Sequence, residues 1–412
     1  MTDHQINDAT TAIASTVVEE DPLMSAPLRL ELEGDTDLQK LAETILLQIK
    51  NNNAVITDVD VCVHDTFVEK VPKAAIVAFF DKLGSHLLRL RKLEFYPGDG
   101  SYNIFPMQAL GATLQHARHL ETLYVYHLEL DGDHEQFTTF SRQLQGCTSL
   151  KEFCFIDCQT AEENTDNPSD DNNAFAFDTI LRALGSMPSL QVVAIWANDL
   201  GQLTPDSLVK VCQSLSIERL MILGFNLSDM DASVIFKTLE HNKILKRLNI
   251  SCTFGSESSR ALSQLLIGKS LLEKLKLELE SPVDHRNLLG VALALQRNKT
   301  LDYLKVSGDI SEMNDEDAND KTKSNSKSLE CAFTSMLETN VSLETLSLLD
   351  GSIHSPLMDL YLKLNIKGRR QLLLQSGKVQ PTSLWLKALV DSNGDIDCLF
   401  CFLQMNPALF VY

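Results

Sequence analysis

Gly268-Lys269-Ser270 ends like a phosphate-binding loop, in which backbone N–H groups cradle a phosphate and the lysine meets its charge. That loop also needs a glycine at position 263, where this chain has serine. The triplet therefore reads as an ordinary helix-to-strand turn. Cys398-Leu-Phe-Cys401 has the spacing of a metal or redox pair, but no second pair accompanies it. Its apolar neighbours Leu399, Phe400 and Phe402 predict a buried helix instead. Cys154 and Cys158 have His134 near them in sequence only. His116 and His119 fall at a predicted helix end, where both are expected to be solvated. No His-Glu-x-x-His ligand spacing occurs, and no Ser, His and Asp set can be assembled. Lys367-Gly-Arg369-Arg370 reads as a solvated basic turn. The expectation is no catalytic residue, no cofactor, no metal and no enzymatic activity.

Composition narrows the classes further. The chain has 412 residues, 44% hydrophobic and 22% charged, with a formal charge of −20. That charge favours solubility and disfavours non-specific binding to nucleic acid or anionic membrane. Nine cysteines without a regular framework read as reduced thiols, and predict a cytoplasmic or nuclear setting. No apolar run approaches the ~18 residues of a membrane helix, and the N-terminus lacks a secretory pattern.

One line of sequence recurs along the chain. Leu120-Glu-Thr-Leu123-Tyr-Val125, Leu245-Lys-Arg-Leu248-Asn-Ile250 and Leu272-Glu-Lys-Leu275-Lys-Leu277 are copies. Leu301-Asp-Tyr-Leu304-Lys-Val306 and Leu343-Glu-Thr-Leu346-Ser-Leu348 repeat it. Shorter or divergent copies centre on Val59, Leu93, Phe153, Val193 and Leu220, and Leu28-Arg-Leu30-Glu-Leu32 is a divergent opening strand. Between the copies lie helical spacings, such as Leu208, Val211, Cys212 and Leu215, or Leu288, Val291, Ala292 and Leu295. Each unit is strand, loop, helix, loop. No unit buries its apolar face alone, so the units must stack.

The motif, followed by an amphipathic helix at a period near 28, resembles the ribonuclease-inhibitor-like leucine-rich repeats over residues 28–350. The resemblance implies an α/β solenoid, a horseshoe with a parallel inner sheet of about eleven strands and helices outside. The copies depart from the family in lacking a regular Asn or Cys after the strand; Asn198, Asn226 and Cys252 stand near that place. Residues 1–26 are expected to form a flexible tail, 27–350 the solenoid and 351–412 an α-helical C-terminal cap. The ending, with Asn365-Ile-Lys-Gly-Arg369 and Asn406-Pro407, is similar to tails of diatom-type leucine-rich repeat proteins. Two acidic insertions, at about 157–178 and 309–327, are predicted to leave the same rim as solvated loops.

Alternation along each strand sends the two inner leucines to the core and the x positions to the concave face. Read in strand order, that face starts acidic at Asp58 and Asp60 and becomes aromatic and apolar at Tyr96, Tyr124, Tyr126, Trp196 and Met221. It then turns basic at Arg247, Lys274, Lys276 and Lys305, with Tyr303 among them. Aromatic residues and Met beside Arg are the chemistry of protein interfaces. The expected function is a non-catalytic, monomeric scaffold binding a protein, or an acidic or phosphorylated peptide, on this face. The alternatives are a regulator of a GTPase or other enzyme, with Arg219 or Arg247 acting in trans, and a substrate-recognition subunit of a larger complex.

Overall fold

The computed structural model describes residues 28–34, 36–52, 56–98, 103–160, 171–196, 205–268, 271–310, 318–367, 390 and 395–405. The tail expected at 1–26, Asn198, the basic turn at 368–370 and most of the C-terminal segment lie outside these residues.

Its strands are β1 (Leu28–Leu32), β2 (Asp58–Val63), β3 (Lys92–Pro97), β4 (Asn103–Pro106), β5 (Thr122–Tyr126), β6 (Leu128–Asp131) and β7 (Glu152–Ile156). They continue as β8 (Gln159–Thr160), β9 (Val192–Trp196), β10 (Arg219–Leu223), β11 (Arg247–Cys252), β12 (Lys274–Leu279), β13 (Tyr303–Ser307) and β14 (Thr345–Leu348). Eleven of them make one parallel sheet in the order β1-β2-β3-β5-β7-β9-β10-β11-β12-β13-β14. Helices alternate with these strands, from Leu38–Asn52 to Ala318–Thr339 and Pro356–Ile366. Parallel neighbours need such crossovers.

The motif leucines carry the core. Leu123, Leu248, Leu275 and Leu304 are buried, with Val125, Ile250, Leu277 and Val306 two residues on. They pack in one continuous cluster with helix residues such as Ile235, Leu262, Leu265 and Val291. Each such side chain contributes roughly 1.5–3 kcal/mol on burial. Strands sit about 4.8 Å apart and packed helices about 8–10 Å, so the array must bend with the sheet inside. That bend makes the helix-free side of the sheet the concave one.

Several features differ from the sequence expectation. A second parallel sheet, β4-β6-β8, runs along the rim beyond the early strands. The chain enters β6 and β8 through left-handed residues, His127 (φ 50) and Asp157 (φ 53), whose side chains pair at 3.0 Å. Asn and Asp tolerate that region better than most residues, and His is enriched there too. Second, the helix Ile396–Met405 buries Cys398 but leaves Phe400 60% exposed, so it is amphipathic rather than buried throughout. Beyond its undescribed part, the second acidic segment enters the helix Ala318–Thr339.

Side chains staple one repeat to the next. Asn242, Asn298 and Asn340 each stand three residues before a motif leucine, and all are buried. Each amide donates to carbonyls of the preceding repeat and accepts two backbone N–H groups of its own turn. The rim adds ion pairs one repeat apart, such as Arg91–Glu121–Lys151 and Lys246–Glu218. Being exposed, these contribute little.

Asp229 makes another inter-repeat staple. Its carboxylate accepts N–H bonds from Gly255, Glu257 and Ser258 at the start of the helix Ser256–Ile267. A Cβ at Gly255 would lie 2.4 Å from Asp229 Oδ2, so glycine permits this approach. Partial burial alone would raise the Asp229 carboxyl, but the Ser258 hydroxyl and the three N–H groups outweigh it and hold the group low. A depressed folded pKa adds stability above the unfolded value of about 3.9, lost as pH falls through the folded value. The Asp229→Asn variant is therefore expected to be less stable than wild type by roughly 1 kcal/mol at pH 7. Urea titrations should show that gap closing in acid; a gap independent of pH would contradict this role.

Candidate functional site: the concave face of the sheet

Strand register assembles the concave face from three rows. One runs Asp58, Lys92, Thr122, Glu152, Val192, Arg219, Arg247, Lys274, Tyr303 and Thr345. The second runs Asp60, Glu94, Tyr124, Cys154, Ala194, Met221, Asn249, Lys276, Lys305 and Ser347. The third includes Glu31, Cys62, Tyr96, then Tyr126, Ile156, Trp196 and Leu223, then Ser251, Glu278 and Ser307. All ten site residues expected from the sequence fall on these rows.

In the middle of the face, Cys154, Ile156, Ala194, Trp196 and Leu223 form a buried cluster separate from the main core, with Tyr124, Tyr126, Val192 and Met221 packed against it. The tyrosine rings meet edge to face at 5.9 Å. Trp196 differs from its expected role as an exposed anchor, since it is only 5% exposed. Small neighbours, Ala194 in its own strand and Cys154 across the sheet, leave room for the indole to lie down among Ile156 and Leu223. Trp196→Ala should therefore act first on stability, by about 3 kcal/mol. A variant that keeps wild-type stability but loses binding would show instead that the indole contacts a partner.

Tyr124, Tyr126 and Met221 are half-buried and present their remaining surface on the concave side. The Tyr124 hydroxyl donates to Glu152, and the Lys92 ammonium lies 5.9 Å from the Tyr124 ring centroid. Burial pushes both phenols well up, helped at Tyr124 by Cys154 and Glu152 and at Tyr126 by Glu94 and Cys154. Both are therefore neutral near pH 7, with apolar bodies and a polar tip.

Charges are handled differently at the two ends. Lys92 pairs with Glu94 at 2.6 Å, and Arg29 with Glu31 at 2.6 Å. Among the described residues, no salt bridge involves Arg219, Arg247, Lys274 or Lys305. Yet Arg219, Arg247 and Lys274 stand on successive rungs of one row, and Lys276 and Lys305 on successive rungs of the next. Lys276 also lies 5.9 Å from the Tyr303 ring centroid. Beside them, burial raises the Glu278 carboxyl against the pull of Lys276 and Lys305. Asn249, between Met221 and Lys276, has a shielded side-chain oxygen that accepts no hydrogen bond.

The motifs set aside by spacing are also separate in space. Cys154 lies in the concave cluster and Cys158 in the main core, while His134 stacks on Phe175 at 4.0 Å. His116, expected to be solvated, is tied to Asp81 at 3.1 Å. A groove of about 650 Å³ opens between outer helices, lined by Asp81, Gln108, Gln115, Asp133, Glu135 and Gln143 among others. Among the described residues, no helix is long and apolar enough to cross a membrane.

No family model and no curated protein sequence matches this chain. Solved structures do. The chain is similar to Leiomodin-1 Actin-Binding Site 2, with 16% identity, 41% of this chain and 94% of that one covered, and a TM-score of 0.31. It is similar to a structure of the Rad7 and Elc1 complex in yeast, with 13% identity, 78% and 87% covered, and a TM-score of 0.32. It is also similar to the LRR ectodomain of the plant membrane receptor kinase GASSHO1/SCHENGEN3 from Arabidopsis thaliana, with 14% identity, 72% and 41% covered, and a TM-score of 0.23. An eleven-stranded parallel sheet alternating with helices, built on Leu-x-x-Leu-x-Leu, is an α/β solenoid of the leucine-rich-repeat kind.

Proposed function

We propose that this chain is a non-catalytic, ribonuclease-inhibitor-like scaffold that binds a protein through an acidic segment laid along the concave sheet. The observation that carries this reading is the run of cations on adjacent rungs, Arg219-Arg247-Lys274 and Lys276-Lys305. Like charges directly opposite across strands each cost roughly 0.2–1 kcal/mol. In a chain of net charge −20, acids are abundant, yet these two rows hold none from β10 to β14, and the carboxylates that act on them, Glu278 and Asp302, lie outside the rows. Carboxylates or phosphates of a partner would relieve the repulsion with charge-assisted hydrogen bonds.

The neighbouring patch of Tyr124, Tyr126 and Met221 supplies apolar contact beside the charge, the usual composition of an interface centre. An apolar residue of the partner would lie on this patch, with acidic residues following toward β13. Stacked repeats hold the face rigid, which reduces the ordering cost of binding.

A fluorescein-labelled peptide with Phe and Leu followed by a run of glutamates provides the probe. Anisotropy titrations should give binding that weakens at least about tenfold in Tyr126→Ala/Met221→Ala, the loss of a hot-spot contact. Equal affinity for wild type and a folded double variant would refute the assignment of this patch. Partners captured from a lysate should then show the same dependence on Tyr126 and Met221.

A further inference from the structure

At the acidic end of the same sheet, Glu31, Cys62 and His64 converge. Glu31 on β1 is the register partner of Cys62 on β2, so the two side chains stand side by side on the concave face. His64 follows Cys62 by two residues and stays on that face; its N–H donates to Leu32 O at 2.9 Å, continuing the ladder past the strand end. The His64 Nε2 lies 3.7 Å from Cys62 Sγ and 3.3 Å from Glu31 Oε2, and the three donor atoms are within 4.8 Å of one another.

These separations admit hydrogen bonds among the three side chains, and they also suit a shared cation. One imidazole nitrogen faces both a thiol and a carboxylate, and a proton on it can point well at only one. Tetrahedral zinc, with Zn–S about 2.3 Å and Zn–N or Zn–O about 2.0–2.2 Å, requires donor-to-donor edges of roughly 3.3–3.6 Å. The two measured edges are close to that range.

The surroundings hold the donors in place. A Cβ at Gly98 would lie 2.3 Å from the His64 ring, so only glycine lets the imidazole rest there. Arg29 binds Glu31 Oε1 at 2.6 Å, which leaves Oε2 to face His64. Such outer contacts orient ligands. Cys62 is 3% exposed, so its sulfur is shielded by protein. Asp60 and Glu94, in the adjacent row, add negative charge, and Asp60 Oδ1 is shielded without a hydrogen-bond partner.

We propose that Glu31, Cys62 and His64 form a zinc site with its fourth position open to the concave face. A thiolate, imidazole and carboxylate set favours zinc over calcium or magnesium, which take oxygen ligands. Three protein ligands leave one position for water or for a donor from outside. The site would clip β1 to β2, the first two strands of the sheet among the described residues.

Cobalt tests this directly, because thiolate ligation gives a charge-transfer band and four-coordination gives intense visible bands. The full chain, stripped with chelator and kept reduced, should bind one equivalent of Co²⁺ with both features, and Zn²⁺ should displace it. Cys62→Ser should abolish the charge-transfer band, and His64→Ala should weaken affinity at least about tenfold. Glu31→Gln, at an exposed position, should do the same while leaving the fold intact, and so decides the matter if Cys62→Ser misfolds. The Cys398→Ser/Cys401→Ser variant should keep the spectrum. The site is overturned if wild type shows no thiolate band. It is equally overturned if the band survives Cys62→Ser, if Glu31→Gln binds like wild type, or if the band disappears with Cys398 and Cys401.

Discussion

Replacing Asn340 with alanine is expected to destabilise the folded chain by about 3 kcal/mol, because it orphans two buried backbone N–H groups and removes a donor from two buried carbonyls. The Asn340 amide is 2% exposed and donates to Leu295 O at 2.6 Å and Asn298 O at 3.2 Å. Its oxygen accepts the N–H of Ser342 and of Leu343, both at 2.9 Å. Alanine leaves the N–H groups of Ser342 and Leu343 buried without an acceptor, and takes one donor each from Leu295 O, which keeps the Asn298 N–H, and from Asn298 O, which keeps the Ser342 hydroxyl. Each orphaned N–H costs about 1–3 kcal/mol, less what relaxation recovers. The effect should be graded. Asn365 donates to Asn340 O and Leu343 O, but its oxygen is shielded and accepts nothing, so Asn365→Ala should cost about half as much. Asn226 is exposed, and Asn226→Ala should be near neutral. Urea midpoints at unchanged slope would read these differences. Equal small losses at Asn340 and Asn226 would show that the turn finds its hydrogen bonds elsewhere.

Charge reversal at Lys276 and Lys305 is expected to weaken binding of the glutamate-containing peptide by about 100-fold. Two close, charge-assisted contacts become repulsions, and each tenfold loss corresponds to about 1.4 kcal/mol. Wild-type affinity should fall as salt rises, and that salt dependence should become shallower in Lys276→Glu/Lys305→Glu, where Arg219, Arg247 and Lys274 remain. Lys246→Glu is the control, since Lys246 pairs with Glu218 at 2.8 Å on the rim rather than facing the concave side. If Lys246→Glu weakens binding as much as the double reversal, the peptide senses only net charge, and the basic rows are not its site.

The two variants probe different levels of the same solenoid. Asn340 acts between neighbouring turns and shapes the scaffold, whereas Lys276 and Lys305 project from it. Leu275, Leu277, Leu304 and Val306, between and beside those lysines, point the other way into the core. Alternation along a strand is therefore what separates stability from recognition in this chain.

Leu-x-x-Leu-x-Leu and the helical spacings between its copies determined the strands of the main sheet, the alternating helices and which side chains share the concave face. They could do so because those properties repeat every two residues along a strand and every turn along a helix, within reach of local pattern. The basic rows at Arg247, Lys274, Lys276 and Lys305 were legible for the same reason. Only the tertiary structure decided that Trp196 is buried among Ile156, Ala194 and Leu223, because packing across strands depends on the volumes of residues a whole repeat away. The rim sheet β4-β6-β8 also needed it, since β6 and β8 follow left-handed turns at His127 and Asp157 that no glycine announces. Asn242, Asn298 and Asn340 carried a signal at a fixed place before the motif leucine, but their partners lie in the preceding repeat. Glu31 and Cys62 meet for the same reason. Residues far apart in sequence become neighbours only when parallel register sets one strand beside the next, and that register comes from stacking the whole repeat.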